Sequence, residues 1–246
     1  MGIGIEYRHP QIMLKIVPNA GPSISMVLLA YNEEESIAQA ISDCIDFGDR
    51  YLSDYEVIVV DDGSSDCTSS IVTAAENHRV KLIKHKTNQG MGASMRDGYL
   101  MAEKDYIAHL PGDRQVRPDA LLPMLDLVSP NHVIVSSFAN PPSGQARVAM
   151  SMVFRGLTKT IGNMKVNFAG TYLFHRDWMS TLRLSDADSD TFLFSFQLLE
   201  LMRRERARFS TVKIPTYPRH HGQSKEATLP RIVSMFREIA KGRIKS

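Results

Sequence analysis

From residue 24 onward, short apolar runs rich in branched residues alternate with longer segments of helical period, the pattern of a mainly parallel sheet covered by helices. The apolar runs predict strands at Ser25 to Leu29, Glu56 to Val60, Val80 to Lys84, Asp105 to Leu110 and His132 to Ser136. Between them the period predicts helices near Glu33 to Ile45, Cys67 to Glu76, Gly92 to Glu103 and Pro118 to Leu127. The rhythm breaks at Pro141-Pro142-Ser143-Gly144, after which helices mix with isolated short strands. Residues 1–22 carry weak periodicity and end in Pro18-Asn19-Ala20-Gly21-Pro22, so they read as an arm without chemistry. Over 227–246, Leu229, Ile232, Val233, Phe236, Ile239 and Ala240 share one helical stripe, with Arg231, Arg237, Lys241 and Lys245 mainly off it. That is a basic amphipathic helix, as suited to a lipid headgroup boundary as to core packing.

Composition narrows the classes. A chain of 246 residues with 43% hydrophobic content supports one sizeable core, so a single domain spanning 23–226 is expected between the arm and the last helix. Lys and Arg number 29 against 27 Asp and Glu, which provides no global basic field, and nucleic acid is not an expected partner. Cys44 and Cys67 lack metal-ligand spacing and fit a reducing compartment, both read as packed or partly buried. No run approaches the roughly 20 apolar residues of a membrane span. The expected location is cytoplasmic, peripheral at the cytoplasmic membrane face.

Ligands of parallel α/β sheets bind beyond the carboxyl ends of the strands, so the residues following each predicted strand carry the functional reading. After the first come Ala30-Tyr31-Asn32-Glu33-Glu34-Glu35, an aromatic ring and carboxylates opening a helix. After the second come Asp61-Asp62-Gly63-Ser64-Ser65-Asp66-Cys67-Thr68, two carboxylates able to accept hydrogen bonds from a nucleobase and ribose, with Asp66 as helix cap. Either block alone is also an ordinary turn or helix start. The segment Asn88 to Gly98 enters a helix through Gly90 and Gly92, but lacks the Lys-Ser/Thr ending of a P-loop. After the fourth strand stands Pro111-Gly112-Asp113-Arg114-Gln115, where Asp113 is a natural ligand for a divalent cation bridging a diphosphate.

In this order and spacing the four blocks resemble the inverting family 2-type glycosyltransferases, in particular the branch of dolichyl-phosphate mannose synthase and polyprenyl-phosphate glycosyltransferases. The resemblance runs from about Ser25 to Lys225. It implies a type A glycosyltransferase fold: an α/β, Rossmann-like, mainly parallel sheet flanked by helices, here with the C-terminal amphipathic helix added. It further implies a donor half over about 23–140 and an acceptor half over about 141–226. Ala30, Tyr31, Glu33, Asp61, Asp62, Arg96, Gly112, Asp113 and Gln115 would then meet a UDP- or GDP-linked sugar. Asp113 and Gln115 keep their places in the family's Asp-x-Asp-x-Gln block and would hold Mg²⁺ or Mn²⁺, while Pro111 stands where the first Asp is usual.

Arg219-His220-His221-Gly222-Gln223-Ser224-Lys225 is close to the Arg-x-x-Gly-x-Ser-Lys run of the polyprenyl-phosphate branch. Arg147 precedes Ser151 as an arginine-serine pair does there. The resemblance therefore implies a polyprenyl phosphate acceptor at a membrane surface, with Arg147, Arg219, Ser224 and Lys225 on its phosphate and Asp113, Arg147 and Arg219 as the catalytic set. Two departures stand out: Ser136-Ser137-Phe138 replaces the Gly-Ser-Arg of relatives, and Asn167-Phe168-Ala169-Gly170 only partly follows their Asp-x-x-Ser-Gly. A phosphate acceptor is already anionic near neutral pH and needs no strong general base. A saccharide or other hydroxyl acceptor would need one, with Asp188 and Asp190 in reserve. A catalytically silent nucleotide-sugar binding module is the remaining alternative. Phe192, Phe194 and Phe196 are expected mainly in the core, and His109, His175, His220 and His221 are assigned to no metal.

Overall fold

The computed structural model describes residues 21–139 and 170–218. The arm over 1–20, Arg147, Ser151, Arg219, Ser224, Lys225 and the 227–246 helix lie outside the described residues. The elements are β1 (Ser23–Ala30), α1 (Ile37–Tyr51), β2 (Asp54–Asp61), α2 (Thr68–Thr73), β3 (Val80–Lys84), α3 (Met91–Met101) and β4 (Tyr106–Pro111). A 3-10 turn at Pro118–Leu121 then leads into α4 (Leu122–Leu125), β5 (His132–Phe138), β6 (Tyr172–His175), α5 (Trp178–Thr181), α6 (Leu193–Arg204) and β7 (Arg208–Ile214).

The strands form one sheet in the order β3-β2-β1-β4-β6-β5-β7. The pairs among β1 to β4 and between β5 and β7 are parallel, while β6 runs antiparallel to both of its neighbours. Along β2 the side chains alternate between two cores. Val57 and Val59 meet Ile37, Ile41, Cys44 and Phe47 of α1, whereas Ile58 and Val60 meet Met95 and Tyr99 of α3 and Phe194 and Leu198 of α6. Burial on both faces explains why the strand reads as an unbroken apolar run.

All five predicted strands are present with small shifts at their ends. The helices differ more. α1 begins at Ile37 rather than Glu33, because the residues before it are spent in a loop described below. The helix predicted over Pro118 to Leu127 is a 3-10 turn followed by a single α-turn. Pro123 has no N–H to donate back to Asp119, so a continuous α-helix cannot form there. Phe194 and Phe196 are core residues as expected, while Phe192 is exposed. Trp178 also packs in the core. Cys44 is buried, and burial pushes its thiol pKa up, but Cys67 is exposed, correcting the expectation that both are packed or partly buried.

Candidate active site

The site begins where three adjacent strands end. Asp62 N donates to Ala30 O at 2.9 Å and Gly112 N to Leu29 O at 2.8 Å, so the loops leaving β2 and β4 are both fastened to the end of β1. Ala30 pairs with Asp61 and Leu29 with Pro111, which sets the Asp61-Asp62 and Gly112-Asp113 backbones on one rim. The two outer strands lie about 10 Å apart at the sheet's usual spacing. Chain order steps outward from β1 to β3 and returns to β4 on the other side of β1, a topological switch of the kind that opens a ligand crevice. Gly112 fits its place because a Cβ there would lie 2.9 Å from Leu29 O.

The loops after β1 and β2 are laced together by side chains. Asn32, in the left-handed region at φ 52°, accepts from Ser65 N at 2.8 Å through Oδ1, while its own N–H donates to Ser64 Oγ at 2.8 Å. Glu33 N donates to Thr68 Oγ1 at 2.9 Å, Glu34 N to Asp66 Oδ2 at 3.1 Å, and Cys67 N to Glu34 Oε2 at 2.9 Å. These bonds use the polar groups that would otherwise have started α1 four residues earlier. Asp66 caps α2 from one residue ahead of the N-cap, its Oδ1 accepting from Thr68 N at 3.0 Å. Tyr31 and Glu33 are half-buried at this edge of the rim.

The adjacent carboxylates Asp61 and Asp62 share the rim but not a direction. Asp61 is fully buried, accepting from Ser64 N at 2.9 Å and from the Ser69 hydroxyl on α2. Asp62 turns to the α3 side, where Oδ1 takes Gln89 N at 2.8 Å and Oδ2 takes Gly90 N at 2.9 Å. Together they build the crevice wall by holding the Gly63-Ser64 turn and the 85–90 loop. Sequence reasoning placed them as a pair facing one cleft; the period-2 alternation of a strand end sends neighbours to opposite layers.

His85 was not anticipated. Its buried ring lies between two carboxylates, with Nδ1 2.8 Å from Asp62 Oδ1 and Nε2 3.1 Å from Asp97 Oδ2 on α3. A single histidine between Lys84 and Lys86 carries no pattern that would have marked it. Arg96, expected at the donor, donates to Ser189 O at 3.2 Å and Ala187 O at 3.5 Å, and its guanidinium lies over Phe194. These contacts hold the 187–190 loop against α3. Gly92 N donates to Asp190 O at 2.9 Å at the same junction, while the Asp190 side chain stays 59% exposed.

Across the rim, Asp113 is half-buried and its Oδ1 accepts from Gln115 N at 3.0 Å. Arg114, at φ 61°, reaches Asp43 on α1 at 2.8 Å. Gln115 O accepts from Tyr217 N at 3.0 Å, joining the loop to the segment that follows β7 and precedes Arg219 in sequence. No group of three or more His, Cys, Asp or Glu among the described residues is placed to hold a metal ion. One rim carboxylate with a neighbouring amide fits a cation that draws its remaining ligands from water and substrate phosphates, as Mg²⁺ commonly does, and not a closed protein cage.

Acidic turns gathered at a topological switch point mark the place where an open α/β sheet takes its ligand. Residues 25–199 match the model of Glycosyl transferase family 2. An uncharacterized glycosyltransferase of Haemophilus influenzae is 28% identical over 191 residues, covering 74% of each chain. The undecaprenyl-phosphate 4-deoxy-4-formamido-L-arabinose transferase of Proteus mirabilis is 24% identical over 220 residues, covering 87% of this chain but 65% of that one. The crystal structure of glucosyl-3-phosphoglycerate synthase from Mycobacterium tuberculosis with Mn²⁺, UDP and phosphoglyceric acid superposes with a TM-score of 0.64 at 18% identity, over 92% of this chain and 80% of that one. The chain belongs to glycosyl transferase family 2 and has the type A glycosyltransferase fold.

Proposed function

We propose that this glycosyltransferase moves a sugar from a nucleoside diphosphate donor to a polyprenyl phosphate with inversion at the anomeric carbon. The observation that carries the reading is the hydrogen bond from Tyr217 N to Gln115 O. It ties the Asp113 loop to the chain segment that leads directly into Arg219-His220-His221-Gly222-Gln223-Ser224-Lys225. A carboxylate suited to a cation–diphosphate is thus bonded, through its loop, to a chain segment that in sequence precedes a run suited to a phosphate acceptor. The Proteus mirabilis relative, whose name specifies an undecaprenyl phosphate, supports the same reading.

Tyr31, Glu33, Gly112, Asp113 and Gln115 line the donor crevice in this scheme, while Asp61 and Asp62 act through the loops they hold. Asp113 and Gln115 would bind Mg²⁺ or Mn²⁺. When bound, the cation offsets charge on the diphosphate leaving group. An oxygen of the acceptor phosphate attacks the anomeric carbon, a new carbon–oxygen bond forms opposite the old one, and the nucleoside diphosphate departs with the bonding pair. Arg147, Arg219, Ser224 and Lys225 hold the acceptor phosphate, positioning and charge neutralisation supplying most of the acceleration.

A second reading takes the carboxylate of Asp190, 59% exposed and 3.6 Å from Arg96 Nη1, as a base for a hydroxyl acceptor. Incubation with radiolabelled UDP- and GDP-sugars, Mn²⁺ or Mg²⁺ and a short polyprenyl phosphate separates the two. Organic-extractable label is expected. Label confined to water-soluble saccharide would transfer the assignment to the second reading, and donor binding without turnover across acceptors would leave a silent module.

A further inference from the structure

Several described arginines at the rim and along the helices have acceptors. Arg79 reaches Asp54, Arg96 the 187–190 loop, Arg114 Asp43, and Arg203 and Arg204 Glu200. Arg117 differs. Its Nε is buried without a hydrogen-bond partner, and among the described residues its guanidinium forms no ion pair. It lies over the ring of Tyr217 at 4.2 Å. The nearby carboxylate of Asp119 is directed to the Tyr217 hydroxyl instead, at 3.4 Å.

The location gives the unsatisfied cation its meaning. Tyr217 is held by Gln115 O, and Gln115 N holds Asp113 Oδ1, so the aromatic platform and the proposed cation ligand belong to one hydrogen-bonded loop. A buried guanidinium Nε–H without an acceptor is unfavourable, and a ligand or water that supplies an acceptor relieves that cost. A planar guanidinium laid on an aromatic face is already ordered, which lowers the entropy lost when its fork meets two oxygens. Arg114, the other cation of this loop, is neutralised by Asp43.

We propose that Arg117, held on Tyr217, is a further substrate-binding residue that takes the oxygens of a phosphate or diphosphate group. The proposal rests on the transferase reading above, and the oxygens belong to the donor diphosphate or to the acceptor phosphate. Either presents the paired acceptors that a guanidinium fork binds.

Calorimetric titration of the full chain in Mn²⁺ with UDP, GDP and a short polyprenyl phosphate tests it. Arg117→Ala is expected to weaken at least one of these ligands by about tenfold or more, with Arg117→Lys recovering part of the loss. Tyr217→Leu, which keeps the cation and removes its platform, is expected to weaken the same ligand by about threefold. Loss confined to the nucleotides assigns the donor, and loss confined to the lipid assigns the acceptor. Should Arg117→Ala fold poorly, Arg117→Met preserves the packing of the stem and is titrated in its place. Affinities within about twofold of wild type for all three ligands overturn the role of Arg117 and leave the transferase reading standing. A wild-type chain that binds none of the three overturns both.

Discussion

Asp62 Oδ1 faces Gln89 N and His85 Nδ1, and its Oδ2 faces Gly90 N, so removing this one side chain leaves the buried His85 ring nitrogen and two part-buried amides without that partner. Asp62→Ala is therefore expected to lower unfolding stability by about 1–3 kcal/mol, the cost of orphaning a buried polar group. Urea denaturation would show it as a lower midpoint with an unchanged slope. A loss below about 1 kcal/mol would mean water replaces the carboxylate and the 85–90 loop is not held as described. His109 gives a pH signature of its own. Burial pulls its pKa from 6.5 to about 4, opposed by a hydrogen bond that the ring donates to the Gly170 backbone, which raises it. As pH falls the unfolded chain takes up this proton first, so the stability is complete above pH 6.5 and drains away toward pH 4. The loss attributable to this ring is on the order of 3 kcal/mol, and His109→Phe should flatten that part of a stability–pH curve. The sequence revealed which residue types gather at the rim. It could not reveal that Asp61 is consumed by Ser64 and Ser69, because the direction of a strand-end side chain depends on where the strand stops.

At the scale of elements, what was legible follows from burial. β1, β2 and β4 are covered on both faces, so their apolar runs stand out. β6, only Tyr172–His175, is too short to show a period, and most of β7 is partly exposed, so neither could be placed from pattern. The late start of α1 was hidden because its cause lies in partners some thirty residues away, at Ser64, Ser65 and Thr68. The junction of α3 with the loop before α6 supplies the test at this scale. A Cβ on Gly92 would lie 2.2 Å from Ser189 O, with Thr191 O at 2.7 Å, and both obstacles are backbone. Gly92→Ala must push the 187–191 loop off α3, taking with it the Gly92–Asp190 and Arg96–Ser189 hydrogen bonds. The expected result is a stability loss of about 1–3 kcal/mol and a fall in turnover larger than the fall in donor affinity. Ser94→Ala, two residues on in the same helix, serves as the control. Equal turnover in Gly92→Ala and wild type would show that the position of this loop does not matter to the reaction.

For the whole molecule the arrangement of the sheet decides how binding is felt. Among the described residues β5 pairs only with β6 and β7, and β6 in turn is the link to β4, so residues on either side of 140 complete one hydrogen-bonded sheet. A donor half unfolding by itself would have to leave β5 unpaired, and both cores draw on elements from each side of that boundary. Unfolding is thus expected as a single cooperative transition. Ligand held at the rim of β1, β2 and β4 should stabilise all of it, by RT ln(1 + [L]/Kd), or about 2.7 kcal/mol at a hundred times Kd. For a domain of this size that corresponds to a rise in Tm of roughly 5–10 °C. The rise should need both a nucleoside diphosphate sugar and a divalent cation, because Asp113 by itself is a weak site and the diphosphate supplies the missing ligands. Asp113→Asn should remove the part of the shift that the cation adds while leaving the unliganded Tm nearly unchanged, its Oδ1 still free to accept from Gln115 N. Two separate transitions, with only the earlier one moved by nucleotide, would show instead that the shared sheet does not carry the coupling. A cation-dependent shift that survives Asp113→Asn would place the cation away from this loop.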